Sequence, residues 1–398
     1  SDNEEKKDTE TKTRWLVMAG FPDFQLDRHV PILLDTNYTV VLYEQTGDIV
    51  HTTKTGKKNI TKKREITNIL TPGTYIEETN KLDSPGIGSL YIQRNTDFKS
   101  RNKVITLGMS YIDSSTGCSW LYEVTMMESE KRYLHDELSK WVNNFKPQEW
   151  IINTDLDQTD LLKEFKNTLE FEQTKNYFMT YDDKTLQKVS YMEEFFNNIF
   201  DHKSLINSIE YIGLERNQIT LYSYLMLLRF VNERNPQIIK NIAKPKWWKQ
   251  TRYMSLYNQA YYQLQVIPFN TNARRNKINS LFDVLNMSST SMGRRLLRFR
   301  ILNPLVNVEE IETRYQYIEM FLENNIYKEF EYILKEVVDI ERLHRRIVVH
   351  LLHPSEFTQL HNSYGSIQQL LCKLRDKNIS MPFDIDDMIN NLQNYMNH

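Results

Sequence analysis

Apolar residues at the start of the chain follow first a strand pattern and then a helix pattern. Residues 15–20 form a continuous apolar run that predicts a buried strand, and residues 24–34 repeat leucine and valine at helical spacing. A further apolar run at 39–45 ends at Thr46-Gly47, which predicts a second strand closed by a turn. The first part of the chain is therefore predicted to form a strand–helix–strand unit.

Two clusters of glycine and proline, at 72–73 and 84–88, interrupt this pattern, and the second is the better candidate for a domain boundary. The chain beyond it predicts three successive strands, a helix with one apolar face, and a returning buried strand. The predicted strands are residues 89–92, 104–112, 119–124 and 150–152, and the helix face is Leu134, Leu138, Trp141, Val142 and Phe145. This order is typical of an α/β domain.

The chain from residue 204 to residue 398 is predicted to be helical throughout. Within it, residues 280–304 contain a short apolar helix, a polar turn in which Thr290 is a suitable N-cap, and a second helix that stops at Asn303-Pro304. The residues of the second helix predicted to face a core are Met292, Leu296, Leu297 and Ile301. Glycine inside a helix costs about 1 kcal/mol relative to alanine, so we expect Gly293 to pack closely against a neighbouring element.

The predicted fold class is α+β with three domains: residues 1–86, mixed α/β; residues 87–203, α/β; and residues 204–398, all α. Residues 161–201 are predicted to complete the second domain with one or two helices. Residues 244–249 are predicted to form a turn with two exposed tryptophans.

Composition and charge exclude several classes of protein. At 398 residues, with 40% hydrophobic and 26% charged residues, the chain is long enough for two or three globular domains. The formal net charge of -2 shows no overall basic field, so contact with nucleic acid would depend on local patches. The two cysteines, Cys118 and Cys372, lack the spacing of a zinc site, and no apolar run is long enough to cross a membrane. We expect an intracellular protein with no metal site and no catalytic site.

One local patch is strongly basic. Residues 54–64 carry six basic side chains and no acidic one: Lys54, Lys57, Lys58, Lys62, Lys63 and Arg64. Such a segment can place several cations along a phosphate backbone. It can equally be a solvated hairpin tip, as runs of charge usually are.

Several segments together resemble the MutS family of DNA mismatch repair proteins. M-A-G-F-P at 18–22, V-V-L-Y-E-Q-T-G-D at 40–48 and I-T-N-I-L-T-P-G-T at 66–74 are similar, in this order, to the mismatch-binding domain of that family. Residues 280–304 resemble the signature of its core domain, and D-I-E-R-L at 339–343 is similar to its D-L-E-R-L. The resemblance extends over about residues 16–370. It implies a partial mismatch-binding domain, a ribonuclease-H-like connector, and the first part of a helical core and lever.

The resemblance also implies a function. A MutS protein binds mismatched double-stranded DNA, couples this to ATP and Mg²⁺, and works as a homodimer or a heterodimer with downstream repair proteins. No Phe-x-Glu wedge precedes M-A-G-F-P, and no phosphate-binding loop G-x-x-x-x-G-K-[S/T] occurs in the sequence. We therefore expect a piece of a longer protein that does not hydrolyse ATP by itself. It would have access to DNA in a nucleus, an organelle, a viral factory or a bacterial cytoplasm.

Three alternatives stay open from the residues alone. Arg294, Arg295 and Arg298, with Gly293, form either a structural helix face or an interface with a further domain. Asp113 ends a predicted strand, which is where a ribonuclease-H-type nuclease has a metal-binding carboxylate, and Glu149 is the one candidate for a second metal ligand. Asp113 is equally suited to form a turn. The chain could also be a scaffold that contacts repair or replication proteins and has lost mismatch recognition.

Overall fold

The computed structural model of the chain describes residues 20–52, 58–76, 85–96, 101–154, 165, 174–179, 188–200, 205–248, 252–254, 256, 260–267, 278–379 and 381–397. The strands are β1 (Val40–Thr52), β2 (Lys58–Leu70), β3 (Gly86–Thr96), β4 (Lys103–Asp113), β5 (Ser119–Met127), β6 (Glu149–Thr154), β7 (Lys175–Met179) and β8 (Lys246–Trp247). The helices up to residue 263 are α1 (Leu26–Asp35), α2 (Lys131–Phe145), α3 (Val189–Ile199), α4 (Ser208–Ile212), α5 (Gln218–Arg234) and α6 (Ala260–Gln263). The later helices are α7 (Leu281–Leu285), α8 (Ser291–Leu302), α9 (Val308–Leu322), α10 (Ile326–Leu334), α11 (Ile340–Val348), α12 (Pro354–Asp376) and α13 (Ile385–Asn397).

The N-terminal part of the described chain is a helix followed by a long antiparallel hairpin. Helix α1 confirms the predicted helix, while the strand predicted at 15–20 lies almost wholly outside the described residues. The turn predicted at Thr46-Gly47 is wrong, because β1 continues past it to pair with β2 as far as Thr52. The register shifts between Gln45 and Gly47, so Thr46 is accommodated as a bulge inside the strand.

A six-stranded sheet in the order β7-β6-β3-β4-β5-β8 forms the middle of the structure. Strands β3, β4 and β5 are antiparallel neighbours, and α2 then carries the chain back so that β6 pairs parallel to β3. Strand β7 extends the sheet parallel to β6, although its residues lie in a segment predicted to be helical. These findings confirm the four predicted strands and the helix between them, and add a strand that the sequence pattern did not show.

Each face of the sheet is covered by a helix with a matching apolar side. Helix α2 places Leu134, Leu138 and Trp141 in a cluster with residues of β3, β4 and β6. Helix α5 covers the other face, where Tyr224 and Leu225 are fully buried. The sheet therefore lies between two helical layers.

The packing of α5 changes the expected division of the chain. The Ser223 hydroxyl on α5 lies 3.0 Å from the Ser110 hydroxyl and donates to the carbonyl oxygen of Ser89 at 3.1 Å, and both of these residues belong to the sheet. Strand β8 also joins the sheet by pairing parallel to β5. The expectation of purely helical structure from residue 204 onward is therefore wrong at β8, and the helices within residues 205–248 pack against the sheet. An apolar helix such as α5 is buried on most sides, and its sequence does not reveal which neighbour covers it.

The helices from α6 to α13, with short segments before α6, form the rest of the described structure. Helices α10, α12 and α13 share an apolar cluster that contains Phe330, Leu371, Leu374 and Ile389. The cap residues predicted for this region are present, since the Thr290 side chain accepts a hydrogen bond from the backbone N–H of Gly293 at the start of α8. Among the residues that the structure describes, no helix is both long and apolar enough to cross a membrane.

The approach of α5 to β4 depends on a glycine and gives the first testable prediction. A Cβ added at Gly108 would lie 2.6 Å from the backbone carbonyl group of Ile219, whereas a Cβ at Gly365 in α12 would meet no atom within 4 Å. We expect Gly108→Ala to lower the free energy of unfolding by about 1–3 kcal/mol, because backbone atoms must move apart. Gly365→Ala should leave stability unchanged or raise it by up to about 1 kcal/mol. Urea unfolding of both variants tests this, and equal effects would contradict the packing described.

Candidate nucleic-acid interface and the joint behind it

The described basic residues of the hairpin lie on β2. Lys62, Lys63 and Arg64 are all exposed. Because neighbouring side chains on a strand point to opposite faces, Lys62 and Arg64 share one face of the hairpin and Lys63 lies on the other. Of the other residues predicted to contact DNA, Lys58 begins β2, and two lie outside the described residues: Lys54 and Lys57.

The two faces of the hairpin differ in charge. The ammonium group of Lys63 lies 2.5 Å from a carboxylate oxygen of Glu65, two residues along the same strand. This hydrogen bond and the charge of Lys63 hold the pKa of Glu65 below its usual range. The charge of Lys63 is therefore partly neutralised by Glu65. The prediction from the basic segment alone did not consider this neighbour. The face of Lys62 and Arg64 is the better candidate for phosphate contact.

The turn Thr71–Thr74, directly after β2, attaches the hairpin to the sheet. The Thr71 hydroxyl donates to a Glu149 carboxylate oxygen at 2.7 Å, and the Ser114 hydroxyl donates to the Gly73 carbonyl oxygen at 2.6 Å. A Cβ on Gly73 would lie 2.9 Å from Glu149 Oε2, so the turn approaches the sheet too closely for a larger residue. The T-P-G-T segment is thus a buried attachment point for the hairpin.

Glu149, at the start of β6, is a fully buried carboxylate at this attachment point. Burial raises its pKa, although the hydrogen bond from Thr71 and the positive charge of Lys175 partly offset the effect. Tyr177 donates a hydrogen bond to the other carboxylate oxygen at 3.3 Å, and burial together with the Glu149 charge raises the pKa of Tyr177 to about 12. The ammonium group of Lys175 also donates to the hydroxyl of Thr39, just before β1. The polar contacts of Glu149 therefore lie between the hairpin and the sheet.

Asp113, the residue considered for metal-dependent nuclease chemistry, makes a turn instead. Its Oδ1 accepts hydrogen bonds from the backbone N–H of Ser115 at 2.9 Å and from the Ser115 hydroxyl at 2.7 Å. Asp113 and Glu149 begin or end strands on either side of β3, but the Thr71–Thr74 turn occupies Glu149. No group of three or more histidine, cysteine, aspartate or glutamate residues able to hold a metal occurs in the described part of the chain.

Gly293, in the first turn of α8, packs against its own helix cap. A Cβ at this position would lie 3.0 Å from the Thr290 hydroxyl oxygen and 3.7 Å from the Ser288 Cβ. The expected close packing against a neighbouring element is therefore wrong. The small residue leaves room for the hydroxyl that caps the helix.

The side of α8 that meets the sheet domain is aromatic. Phe299 makes edge contacts with Trp248 at 6.0 Å and with Tyr253 at 5.8 Å between ring centroids. Trp248 in turn contacts Phe145 of α2, so the tryptophan predicted to be exposed is part of an aromatic cluster. Leu296, predicted to face a core, is 49% exposed. Ile301, predicted on the same face, packs against a cluster that contains Tyr261 and Leu302, so of these two residues the predicted core face is wrong at Leu296 alone.

Arg295 joins the two segments that carry the family-like motifs of the helical region. Its guanidinium makes two hydrogen bonds to the Asp339 carboxylate, one of them at 2.9 Å, and a third to Glu341 at 2.6 Å. Burial alone would raise the pKa of Asp339, but the hydrogen bond and charge of Arg295 outweigh burial and lower it. Burial would likewise lower the pKa of Arg295, and its bonds to Asp339 and Glu341 raise it instead. Asp339 also caps α11 by accepting from the backbone N–H of Arg342 at 3.4 Å.

The other two arginines predicted on α8 have a different position. Arg294 and Arg298 are four residues apart, so they share a face of the helix, and both are half-buried. Arg295 is the member of the predicted group for which ion pairs joining α8 to α11 are described above. An interdomain role for Arg294 and Arg298 stays a prediction.

Helix α11 reaches the sheet domain through Arg345, which is 4% exposed. Its guanidinium donates to the carbonyl oxygens of Ile238 and Lys240, the latter at 2.9 Å. It also packs against the turn between β4 and β5, where a Cβ on Gly117 would lie 3.0 Å from it. Burial lowers the pKa of Arg345, and the nearby Asp113 carboxylate partly offsets this.

Prediction from sequence missed Arg345, because a buried arginine leaves no apolar signal. The spacing of arginines in E-R-L-H-R-R was the one available hint.

Comparison with known proteins identifies the family to which the chain belongs. A model of MutS domain I matches residues 4–79, and a model of MutS domain III matches residues 259–397. A mutS homologue of Acanthamoeba polyphaga mimivirus is 30% identical over 378 residues, covering 89% of this chain and 33% of that protein. The chain belongs to the MutS family. A mitochondrial mutS homologue of Sarcophyton glaucum is 26% identical over 403 residues, and MutS of Petrotoga mobilis is 27% identical over 365 residues. These two alignments cover 93% and 91% of the chain.

The MutS matches coincide with the features described above. The domain I match contains the β1–β2 hairpin and the Thr71–Thr74 turn, and the domain III match contains both Arg295 and Asp339. The domain III match begins beyond α5 and β8, which pack on the sheet. The chain spans 33%, 38% and 39% of the length of these three MutS relatives.

The buried Glu149 predicts a pH dependence of stability. Its pKa in the folded protein is raised, so the folded state binds a proton more tightly than the unfolded state does. The stability contributed by this site is present at low pH and is lost as pH rises above about 4.3, where an exposed glutamate titrates. We expect the free energy of unfolding of the natural protein, minus that of the Glu149→Gln variant, to decrease as the pH rises from about 4 to about 7. A difference that stays constant with pH in urea titrations would contradict the burial of the charge.

The joint at Arg345 predicts a second effect on stability. Arg345→Met leaves the carbonyl oxygens of Ile238 and Lys240 without a donor, so we expect a loss of about 2–3 kcal/mol. Arg375→Met is the matched control, because Arg375 is 51% exposed in its ion pair with Asp386 and its removal should change stability by less than about 0.5 kcal/mol. Both are measured by chemical unfolding. Equal losses would show that Arg345 does not hold α11 on the sheet domain.

Proposed function

We propose that this chain is the DNA-facing part of a MutS-type protein that binds mismatched double-stranded DNA. The observation that carries the proposal is the exposed face of Lys62 and Arg64 on a hairpin that the Thr71–Thr74 turn fixes to the sheet. Cations held in fixed positions along a strand suit a phosphate backbone, which positions a protein without reading sequence. Preference for a mismatch would then follow from the lower energy needed to kink a mispaired step.

The sheet domain supports the assignment of a ribonuclease-H-like connector. Three antiparallel strands, a helix and two further parallel strands occur in the order expected for that fold. In this proposal the connector acts as a support, since Asp113 forms a turn and Glu149 binds the hairpin attachment. One end of the sheet, at the turn between β4 and β5, contacts both the Thr71–Thr74 turn and α11.

The same proposal includes coupling of DNA binding to ATP in the longer protein. The chain spans little more than a third of its relatives and has no G-x-x-x-x-G-K-[S/T] sequence, so ATP and Mg²⁺ would bind elsewhere in the polypeptide. A second MutS-type subunit and downstream repair proteins are the partners that this function requires. Both the hairpin and the helical joint would then transmit DNA binding toward that ATP site.

DNA binding by the hairpin is tested by the salt dependence of affinity. Each phosphate contact contributes about 0.9 to the slope of log affinity against log salt concentration. We expect Lys62→Ala combined with Arg64→Ala to weaken binding to homoduplex and G·T heteroduplex alike, and to lower the slope by about 1.8. Gel-shift titrations at several salt concentrations measure both quantities.

Lys63→Ala provides the matched control, because Lys63 lies on the opposite face and is paired with Glu65. It should change the slope by much less than the double variant. A double variant with an unchanged slope would remove the hairpin from the DNA interface. Absence of any salt-dependent binding to DNA by the full-length protein would favour the protein-interaction scaffold instead.

A further inference from the structure

Helix α9 carries a stripe of large apolar side chains that faces solvent. The stripe consists of Val308, Ile311, Tyr315, Ile318 and Leu322, at alternating spacings of three and four residues. Val308, Tyr315, Ile318 and Leu322 are 67%, 56%, 54% and 59% exposed, and Ile311 is half-buried. This spacing is the seam of a coiled coil, in which each side chain fits between residues of a facing helix.

The stripe is not the side by which α9 is attached to the rest of the protein. Asn307 caps the helix by accepting from the backbone N–H of Glu309 at 2.8 Å, and Arg252 binds Glu310 at 2.7 Å. Near the other end, Phe321 packs edge-on against Phe330 of α10 with ring centroids 5.5 Å apart. The helix is therefore fixed by other residues, and its apolar seam is left facing outward.

A contiguous apolar surface of this kind usually marks a contact with another protein segment. The seam runs over 15 residues, about 22 Å along the axis, which is the length of four helical turns. One flank of the seam carries two exposed acidic residues, Glu312 and Glu319. In helix pairs the residues beside the seam select partners by charge.

We propose that the α9 seam is the docking surface for an amphipathic helix from the part of the polypeptide outside this chain, with basic residues facing Glu312 and Glu319. The chain spans 33–39% of the three relatives compared, so most of such a protein lies elsewhere. An antiparallel second copy of α9 would bring acidic flanks together and is disfavoured by like-charge repulsion. The inference shares with the proposed function the premise of a longer protein, but it does not depend on DNA binding.

Labelling of a single introduced thiol in the full-length protein tests the proposal. Tyr315→Cys lies on the seam, and Tyr332→Cys, on α10, is a matched control at a tyrosine that is 72% exposed. We expect maleimide to react with the thiol at 315 at least about tenfold more slowly than with the thiol at 332, because a docked helix must first open. Peptide mass spectrometry separates both sites from Cys118 and Cys372. Equal rates at 315 and 332 would overturn the proposal.

Two further measurements identify the occupant of the seam. Glu312→Lys combined with Glu319→Lys should speed labelling at 315 if the docked helix is basic on that flank, and an unchanged rate would overturn the charge assignment. In the 398-residue chain alone, the rates at 315 and 332 should differ by less than about threefold at every protein concentration. Protection at 315 that grows with the concentration of this chain would assign the seam to a second copy and overturn the proposed occupant.

Discussion

The ion pair between Arg295 and Asp339 holds together the two helices through which the helical region meets the sheet. Both charges are largely removed from water. Arg295 also binds Glu341, and Asp339 also lies 3.6 Å from the Arg342 guanidinium and begins α11 as its cap. Such a pair adds little net stability compared with apolar residues, yet loss of one partner leaves a largely buried charge with only weaker or more exposed partners, Arg342 for Asp339 and Glu341 for Arg295. Its main effect is geometric. It fixes α8 relative to α11, and each of these helices contacts the sheet domain separately.

The sheet domain connects that joint to the candidate DNA interface. Arg345 binds carbonyl groups that follow α5, and the same guanidinium lies against the turn that begins at Asp113. The Ser114 hydroxyl in this turn binds Gly73, in the turn that attaches the hairpin. A short chain of buried contacts therefore leads from α11 across one end of the sheet to the hairpin. A change at either end has a direct structural route to the other.

Much of the architecture could be predicted from apolar periodicity, because the central strands β3 and β4 are apolar runs buried on both faces and helix α2 buries one apolar side. The position of α5 could not be predicted, since a helix that is apolar on most sides fits a sheet as well as a helical bundle. The basic hairpin could be identified as a candidate from its charge, but its two faces are distinguished only by the pairing of Lys63 with Glu65. Arg345 and Glu149 were missed as structural residues because buried charged groups follow no periodic pattern. Gly293 was predicted to pack against a neighbouring element, but its small size instead leaves room for the cap of its own helix.

The central claim is that Arg295 and Asp339 act as one unit that fixes α8 on α11. A double-mutant cycle with Arg295→Met and Asp339→Asn, measured by urea unfolding, tests it most directly. Asparagine can still cap α11, so the cycle reports mainly on the ion pair. We expect each single change to lower the free energy of unfolding by about 3 kcal/mol, and the double variant to lose at least about 1.5 kcal/mol less than the sum of the two. Strictly additive losses would contradict it.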